Sequence, residues 1–371
     1  MTAKPDLQSG TDVTAALRQA VEDAQYGSTI NFGPGRYLLS DTIPITKPLI
    51  LQGKGKATTL ILCGRCQNYL DIMAKYVKVA NLTFDGAGLP TDQPSGQKRA
   101  VFLKTTEHAS VWDCYFENLN WSGPTAADRF HAVMVAACNH LEVARSTFTR
   151  VSGSAVHMRN ASQIELRHNR CRDVRFYPLH FQADCRNAVV AGNLFEGDIP
   201  VDKGGLIDSF GHGECRNIVV EKNTIRARAG YAAAIRLLGW ENAVIRNNNL
   251  RGHIGCERAI LVETRMEPSG PMSLAPRGIK VENNFIHLQE PIGIAISIGN
   301  RDEAQEAGDW SVVGNTVVAT GGSPGVGVKY SGRGNGGCIV GNRFLGDPPK
   351  RLVVVKETVT HVYIGPNEGV D

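Results

Sequence analysis

No stretch of the 371 residues approaches the roughly 18 to 20 consecutive uncharged apolar residues needed to cross a bilayer, and Met1 to Asp6 carry no apolar core of a secretion signal. These absences predict a soluble chain with no membrane partner, cytoplasmic as written unless an export signal was removed. Charge of one sign is equally scarce. The 40 Lys+Arg against 36 Asp+Glu leave +4, too little and too evenly spread for a nucleic-acid-binding face. No glycine-rich phosphate loop, no nucleophile elbow and no acidic cluster of calcium-binding composition is found. No cofactor and no metal are therefore expected. The nine cysteines are an odd number, scattered singly except for Cys63-Gly-Arg-Cys66. A chain of this length needs no disulfide staples, so they read as reduced core thiols, and the lone pair reads as a turn rather than a zinc site.

What is present is glycine, 40 residues of it, with 20% charged and 42% hydrophobic residues, a composition that suits one large β-rich body. Internal repetition is the informative feature. One template, apolar-x-apolar-x-x-Asn-x-apolar, fits segments that start at Val77, Ala109, Leu141, Ile164, Ala188, Ile218, Ala243, Ile279, Trp310 and Gly337. Its sixth position reads Leu82, Cys114, Ser146, Asn169, Asn193, Asn223, Asn248, Asn284, Asn315 and Asn342. Asparagines in succession at one repeat position require coils that stack in register. The apolar residues before the asparagine alternate as in a strand, and asparagine tolerates left-handed φ and can bond the equivalent amide one coil away. The pattern predicts a parallel β-solenoid with an internal asparagine ladder.

A second set of strands precedes each template, at Ala155 to Arg159, Pro178 to Gln182, Leu206 to Ser209, Ala234 to Leu237, Ala259 to Glu263, Ile292 to Ile298 and Val326 to Lys329. Before the repeats, Val13, Leu17, Ala20, Val21 and Ala24 fall on one helical face with Thr11 or Asp12 placed to cap. An open solenoid end exposes core and strand edges, so a short helix over that end is expected. The expected organisation is a capping segment over 1–26 and a solenoid over 27–371.

The runs Thr11 to Leu17, Gly27 to Tyr37 and Leu49 to Gly53 resemble the opening of pectate lyase-like right-handed parallel β-helix proteins, and the resemblance extends over about residues 11 to 365. It implies an all-β fold, a single-stranded right-handed parallel β-helix of about ten to twelve coils with a short N-terminal capping α-helix. That superfamily includes polysaccharide lyases, glycoside hydrolases, uronate epimerases, fructotransferases, phage tailspikes and non-catalytic binding proteins, so the resemblance implies fold and not reaction. Gly211-His212-Gly213 is similar to the Gly-His-Gly of polygalacturonases but lacks their aspartate elements, and reads as a turn. Tyr177-Pro-Leu-His180 is similar to the Asp-Pro-His region of mannuronan epimerases, with the histidine kept and the aspartate absent.

In the second set of strands the residues between the inward apolar positions point to solvent. Read coil by coil, one outward position gives His157, His180, Asp208, Arg236, Glu263, Ser297 and Lys329. With coils about 4.8 Å apart, His157, His180, Asp208 and Arg236 form a line about 15 Å long and are the candidate catalytic residues. Substitutions there are expected to leave folding intact. Arg159, Gln182, Asp184, Glu263 and Trp121 are candidate substrate contacts, with Glu263 and Lys329 read first as charges that stabilise neighbouring strands. Long turns flanking these strands, at 85–99, 117–128, 196–204, 265–277 and 300–309, are placed to wall a groove. Two histidines, a carboxylate and an arginine suit proton abstraction beside a uronate carboxylate. A histidine acts as base and the other as acid, Asp208 orients an imidazole, and Arg236 or Arg159 neutralises the enolate-like intermediate.

The expected function is thus a lyase or epimerase acting on an acidic oligo- or polysaccharide. The alternatives are glycoside hydrolysis or intramolecular fructosyl transfer with Asp184 and Asp208 as the carboxylate pair, and a non-catalytic solenoid that binds glycan or protein. A homo-oligomer is left open.

Overall fold

Each repeat of the template turns a corner of the backbone. In the segment from Ile218 to Ile225, Ile218 and Val220 close the strand Cys215–Glu221, Lys222 takes φ 55°, and Ile225 lies in the next strand, Thr224–Ala227. The left-handed residue is always the one before the ladder position: Asn81, Asp113, Arg145, His168, Gly192, Asn247, Asn283, Gly314 and Gly341 share this φ. This corrects the expectation that asparagine itself bends left-handed. The amide must point inward to reach its neighbours, so the bend falls on the preceding residue, whose side chain leaves the core.

The computed structural model describes residues 2–3, 9–62, 67–86, 98–119, 129–197, 205–209, 215–227, 233–252, 257–264, 276–299, 308–331, 334–355 and 359–369. The chain forms two compact units, Met1–Pro178 and Leu179–Asp371. Each is a stack of coils with three strands per coil, and equivalent strands pair parallel to build three sheets. The first sheet holds the strand before each corner, the second the strand after it, and the third the strands of the outward column. In the first unit Ala109, Leu141 and Ile164 register in one sheet, Phe116, Phe148 and Cys171 in another, and Val133 with Val156 in the third. In the second unit the corresponding rows are Ala188, Ile218 and Ala243; Phe195, Ile225 and Leu250; and Ile207, Ile235, Ile260, Ile296 and Val328. The fold is an all-β right-handed parallel β-helix.

Like side chains repeat down the core because each coil presents the same position to its neighbour. Phe84, Phe116 and Phe148 stack with centroids 5.0 and 4.9 Å apart. In the second unit Asn193, Asn223, Asn248, Asn284, Asn315, Asn342 and Asn367 form a continuous ladder. Each Oδ1 accepts both the backbone N–H and the Nδ2–H of the preceding asparagine at 2.9–3.0 Å. The second Nδ2 hydrogen goes to a carbonyl of the coil before, Val190 for Asn223 and Val220 for Asn248. In the first unit Ser146 N–H donates to Asn169 Oδ1, and Ser146 Oγ accepts from Cys114 N–H.

The helix Thr14–Asp23 buries Leu17 and Val21 and packs against Ile43–Ile45, the terminal strand of its sheet. Asp12 Oδ1 accepts from Thr14 N–H and Oγ1 at its start, and Lys47 Nζ donates to the Glu22 and Ala24 carbonyls at its end. The helix caps the first coil as expected.

Candidate functional site

The third sheet carries the column. In the second unit His180 registers with Asp208, Asp208 with Arg236, Arg236 with Leu261, Leu261 with Ser297 and Ser297 with Lys329. Glu263 is not in this row. It pairs with Leu238 and Gly299, one outward position further along, because Ile260 and Val262 face inward and leave Leu261 beside Arg236. The sequence reading requires a polar residue outside and so passes over Leu261. That requirement fails here, since these side chains are little exposed: Asp208 is 0%, Leu261 1%, Ser297 1%, His180 3% and Glu263 5% exposed.

Burial changes what Asp208 can be. A carboxylate withdrawn from water must be paired and hydrogen-bonded. Arg236 meets it with two parallel bonds, Nε to Oδ1 at 2.5 Å and Nη2 to Oδ2 at 2.9 Å, and Gly205 N–H adds a third at 3.1 Å. A Cβ on Gly205 would lie 3.2 Å from Arg236 Cβ and 3.0 Å from the Ile207 carbonyl, so the close approach that delivers this N–H favours glycine. Asp208 and Arg236 are thus structural partners whatever else they do, which corrects the expectation that substitution there spares folding.

Asp184 follows the strand Leu179–Gln182 in a turn, at φ 43°, where its charge helps burial push the Cys215 thiol up to about 11. Asp208 sits within the strand Ile207–Ser209. Gln182 ends its strand half-buried, and Lys329 is half-exposed. Cys185 and Cys215 are buried thiols outside any disulfide, and Arg216 N–H donates to the Cys185 carbonyl, which brings the residue before the strand Arg186–Ala191 beside the start of the strand Cys215–Glu221.

His157 and Arg159 belong to the first unit, on the strand Val156–Arg159. Arg159 is exposed, whereas His157 is 4% exposed and registers with Met134. The ring of His157 lies edge-on to His131, with centroids 4.9 Å apart. His131 is absent from the sequence-based column, because the strands Asn68–Ile72, Lys98–Leu103 and Phe130–Val135 belong to coils whose ladder positions are Leu, Cys and Ser. Burial first, then the charges of His157, Arg99 and Arg129, hold His131 well below the usual histidine range, so its ring is neutral at pH 7.

Trp121, Cys63, Cys66, Gly211, His212 and Gly213, with most of the five long turns, lie outside the described residues. Among the described residues no group of three or more His, Cys, Asp or Glu side chains is placed to hold a metal, and no helix is long and apolar enough to cross a membrane.

Comparison with known proteins agrees with this architecture. The profile of the family described as right handed beta helix region matches residues 99–268. No curated protein sequence matches the chain. Among solved structures, the A-module of the mannuronan C-5 epimerase AlgE6 from Azotobacter vinelandii is 15% identical at TM-score 0.54, with 91% of this chain and 96% of that one covered. A PL6 alginate lyase in complex with a trisaccharide is 12% identical at TM-score 0.63, covering 100% and 88%. The DFA-IIIase from Arthrobacter chlorophenolicus A6 in complex with GF2 is 13% identical at TM-score 0.61, covering 98% and 93%. Identities this low carry the fold and nothing finer. The fold of this chain is the right-handed parallel β-helix.

Proposed function

We propose that this protein is a carbohydrate-active enzyme that takes the proton beside the carboxylate of a uronate-containing oligo- or polysaccharide, as a lyase or an epimerase. One observation carries the reading: His180 stands in register beside an aspartate–arginine pair on one face of the third sheet. His180 Nε2 or Nδ1 takes the C5 proton. Electrons then move either to the C4–C5 bond with loss of the C4 oxygen, or into an enolate that is reprotonated on the opposite side. The guanidinium of Arg236, held by Asp208, supplies positive potential near the developing anion. Solved relatives in fold that act on alginate or mannuronan support an acidic substrate.

The test is incubation with polygalacturonate, alginate and glucuronan. Elimination is followed by the ultraviolet absorbance of the unsaturated product, and epimerisation by deuterium incorporation at C5 in heavy water. Turnover on one of these polymers is expected, and His180→Ala should lower it by about 10² or more. Full activity of His180→Ala would remove the mechanism. Reducing-sugar release without unsaturated product would transfer the reading to hydrolysis or fructosyl transfer, with Asp184 and Asp208 as the carboxylates. Binding without turnover would leave a glycan-binding solenoid.

A further inference from the structure

The first and last coils are finished differently. In the first unit the helix Thr14–Asp23 packs on Ile43–Ile45, the terminal strand of the third sheet, and Thr2–Ala3 pairs outside Ser28–Asn31 at the edge of the first sheet. The inward residues of that coil are closed off from water: Ile30, Leu39, Ile43 and Ile45 are each 0% exposed. In the second unit the three sheets end on the strands Arg351–Val355, Val359–Ile364 and Glu368–Gly369, and among the described residues no strand pairs beyond them.

Core positions are left open at this end. Ile364 registers with Ile339, and Val353 and Val355 with Val328 and Tyr330. Ile339 and Tyr330 are 0% and Val328 1% exposed, whereas Ile364 is 51% exposed and both valines are half-buried. The rows that form the core elsewhere therefore meet water in the last coil, where Tyr363 is also exposed. Each terminal strand further presents an edge of backbone groups, which is a template for another strand. A helix laid over this end would cover the side chains and leave those edges unpaired. An end built the same way, three strand edges around one apolar core, meets both needs. The first coil is not such an end, because its own helix and Thr2–Ala3 occupy two of its three sheets; a second last coil is.

We infer that the last coil is an interaction surface for a second copy of this chain, joined tail to tail about a two-fold axis that crosses the solenoid axis. Such an axis reverses strand direction, so Arg351–Val355 meets its own copy antiparallel, with Val353 at the centre and Leu352 opposite the partner's Val354. The run Leu352-Val-Val-Val355 is suited to this pairing, since β-branched side chains pack well on a pleated surface. Arg351, the one charged side chain of the strand, is exposed at its first position and falls at the rim of the joint. Each copy offers the same surface, so the contact is isologous and closes at two subunits rather than growing into a filament.

The test is sedimentation velocity of the whole chain up to about 100 μM, with hydrogen exchange at the same concentration. A species of twice the chain mass is expected. Val353→Lys puts a charge at the centre of the joint and should raise the dimer Kd about tenfold or more, with the unfolding midpoint kept because the side chain is half-buried. At equal concentration the amides of residues 351–355 should exchange faster in this variant than in the wild type. If Val353→Lys does not fold, Ile364→Lys, on another strand of the same end, should weaken the dimer to the same degree. A monomer at the highest concentration would overturn the inference, as would growth beyond two subunits. So would a dimer that these substitutions leave intact, or one whose amides over residues 351–355 exchange as fast as those of the monomeric variant.

Discussion

Replacing Asn223 by alanine removes one rung of the ladder and tests whether buried amide bonds hold the coils in register. In the folded chain Asn223 Oδ1 accepts the N–H and the Nδ2–H of Asn193 at 2.9 and 3.0 Å, and its own Nδ2 donates to Asn248 Oδ1 and the Val190 carbonyl. Only the backbone bond from Asn223 N–H to Asn248 Oδ1 survives truncation. Two donors of Asn193, itself 1% exposed, lose this acceptor where water does not reach. A buried group left unmet costs about 1–3 kcal/mol, so two at the low end, with the small cavity added, give about 3 kcal/mol. Asn223→Ser should lose less, about half of that, because Ser146 Oγ already serves as acceptor to a backbone N–H at the equivalent position of the first unit. Asn367→Ala, at the half-exposed end of the ladder, should cost under about 1 kcal/mol, since water replaces the lost partner. Urea unfolding followed by circular dichroism, with hydrogen exchange at the Asn193 amide, measures all three. The reasoning is refuted if Asn223→Ala unfolds within about 0.5 kcal/mol of wild type, or if Asn367→Ala costs as much.

Asp208→Asn should destabilise by about 3–5 kcal/mol, the scale for stranding one partner of a buried ion pair, and Asp208→Asn with Arg236→Met should recover part of the loss in the same urea assay; an undisturbed single variant would show that the pair is not desolvated. His131 binds its proton less readily folded than unfolded, so the unfolded chain holds more protons below about pH 6.5 and stability falls on acidification, by at most about 1.4 kcal/mol per pH unit for this group. Above that pH His131 adds no slope, and His131→Gln should flatten the fall between about pH 6.5 and 5; an identical slope in the variant would assign the effect elsewhere. Burial pushes the thiols of Cys114 to about 12 and of Cys138 and Cys215 to about 11, so iodoacetamide at about pH 8 should leave all three unlabelled in the native protein and label them in denaturant without reductant, as read by mass spectrometry. Rapid native labelling of Cys114 would contradict its burial.

Local pattern alone determined the solenoid. Apolar alternation ended by asparagine at a recurring position names the strand, the corner and the stacking together, because a parallel stack makes neighbours of residues a full coil apart. It also named the outward strands bearing His157, His180, Asp208 and Arg236, since period two distinguishes the faces of a strand without knowledge of its partners. Asn367 escaped because the last apolar position of its segment is Gly369, and the early third-sheet strands escaped because Leu82, Cys114 and Ser146 replace the asparagine marker. What only the tertiary structure decided is which outward residues share a row and which of them meet water. Glu263 resembles a column residue until register puts Leu261 beside Arg236. Asp208 reads as a solvent-facing acid until burial commits it to Arg236 and Gly205. His131 becomes notable only when the Ser154 N–H takes one ring nitrogen and burial leaves the other unmet among the described residues. Strand direction and face are properties of a few consecutive residues, whereas register and exposure depend on chain segments 20 to 40 positions away, so the composition of one strand cannot specify them.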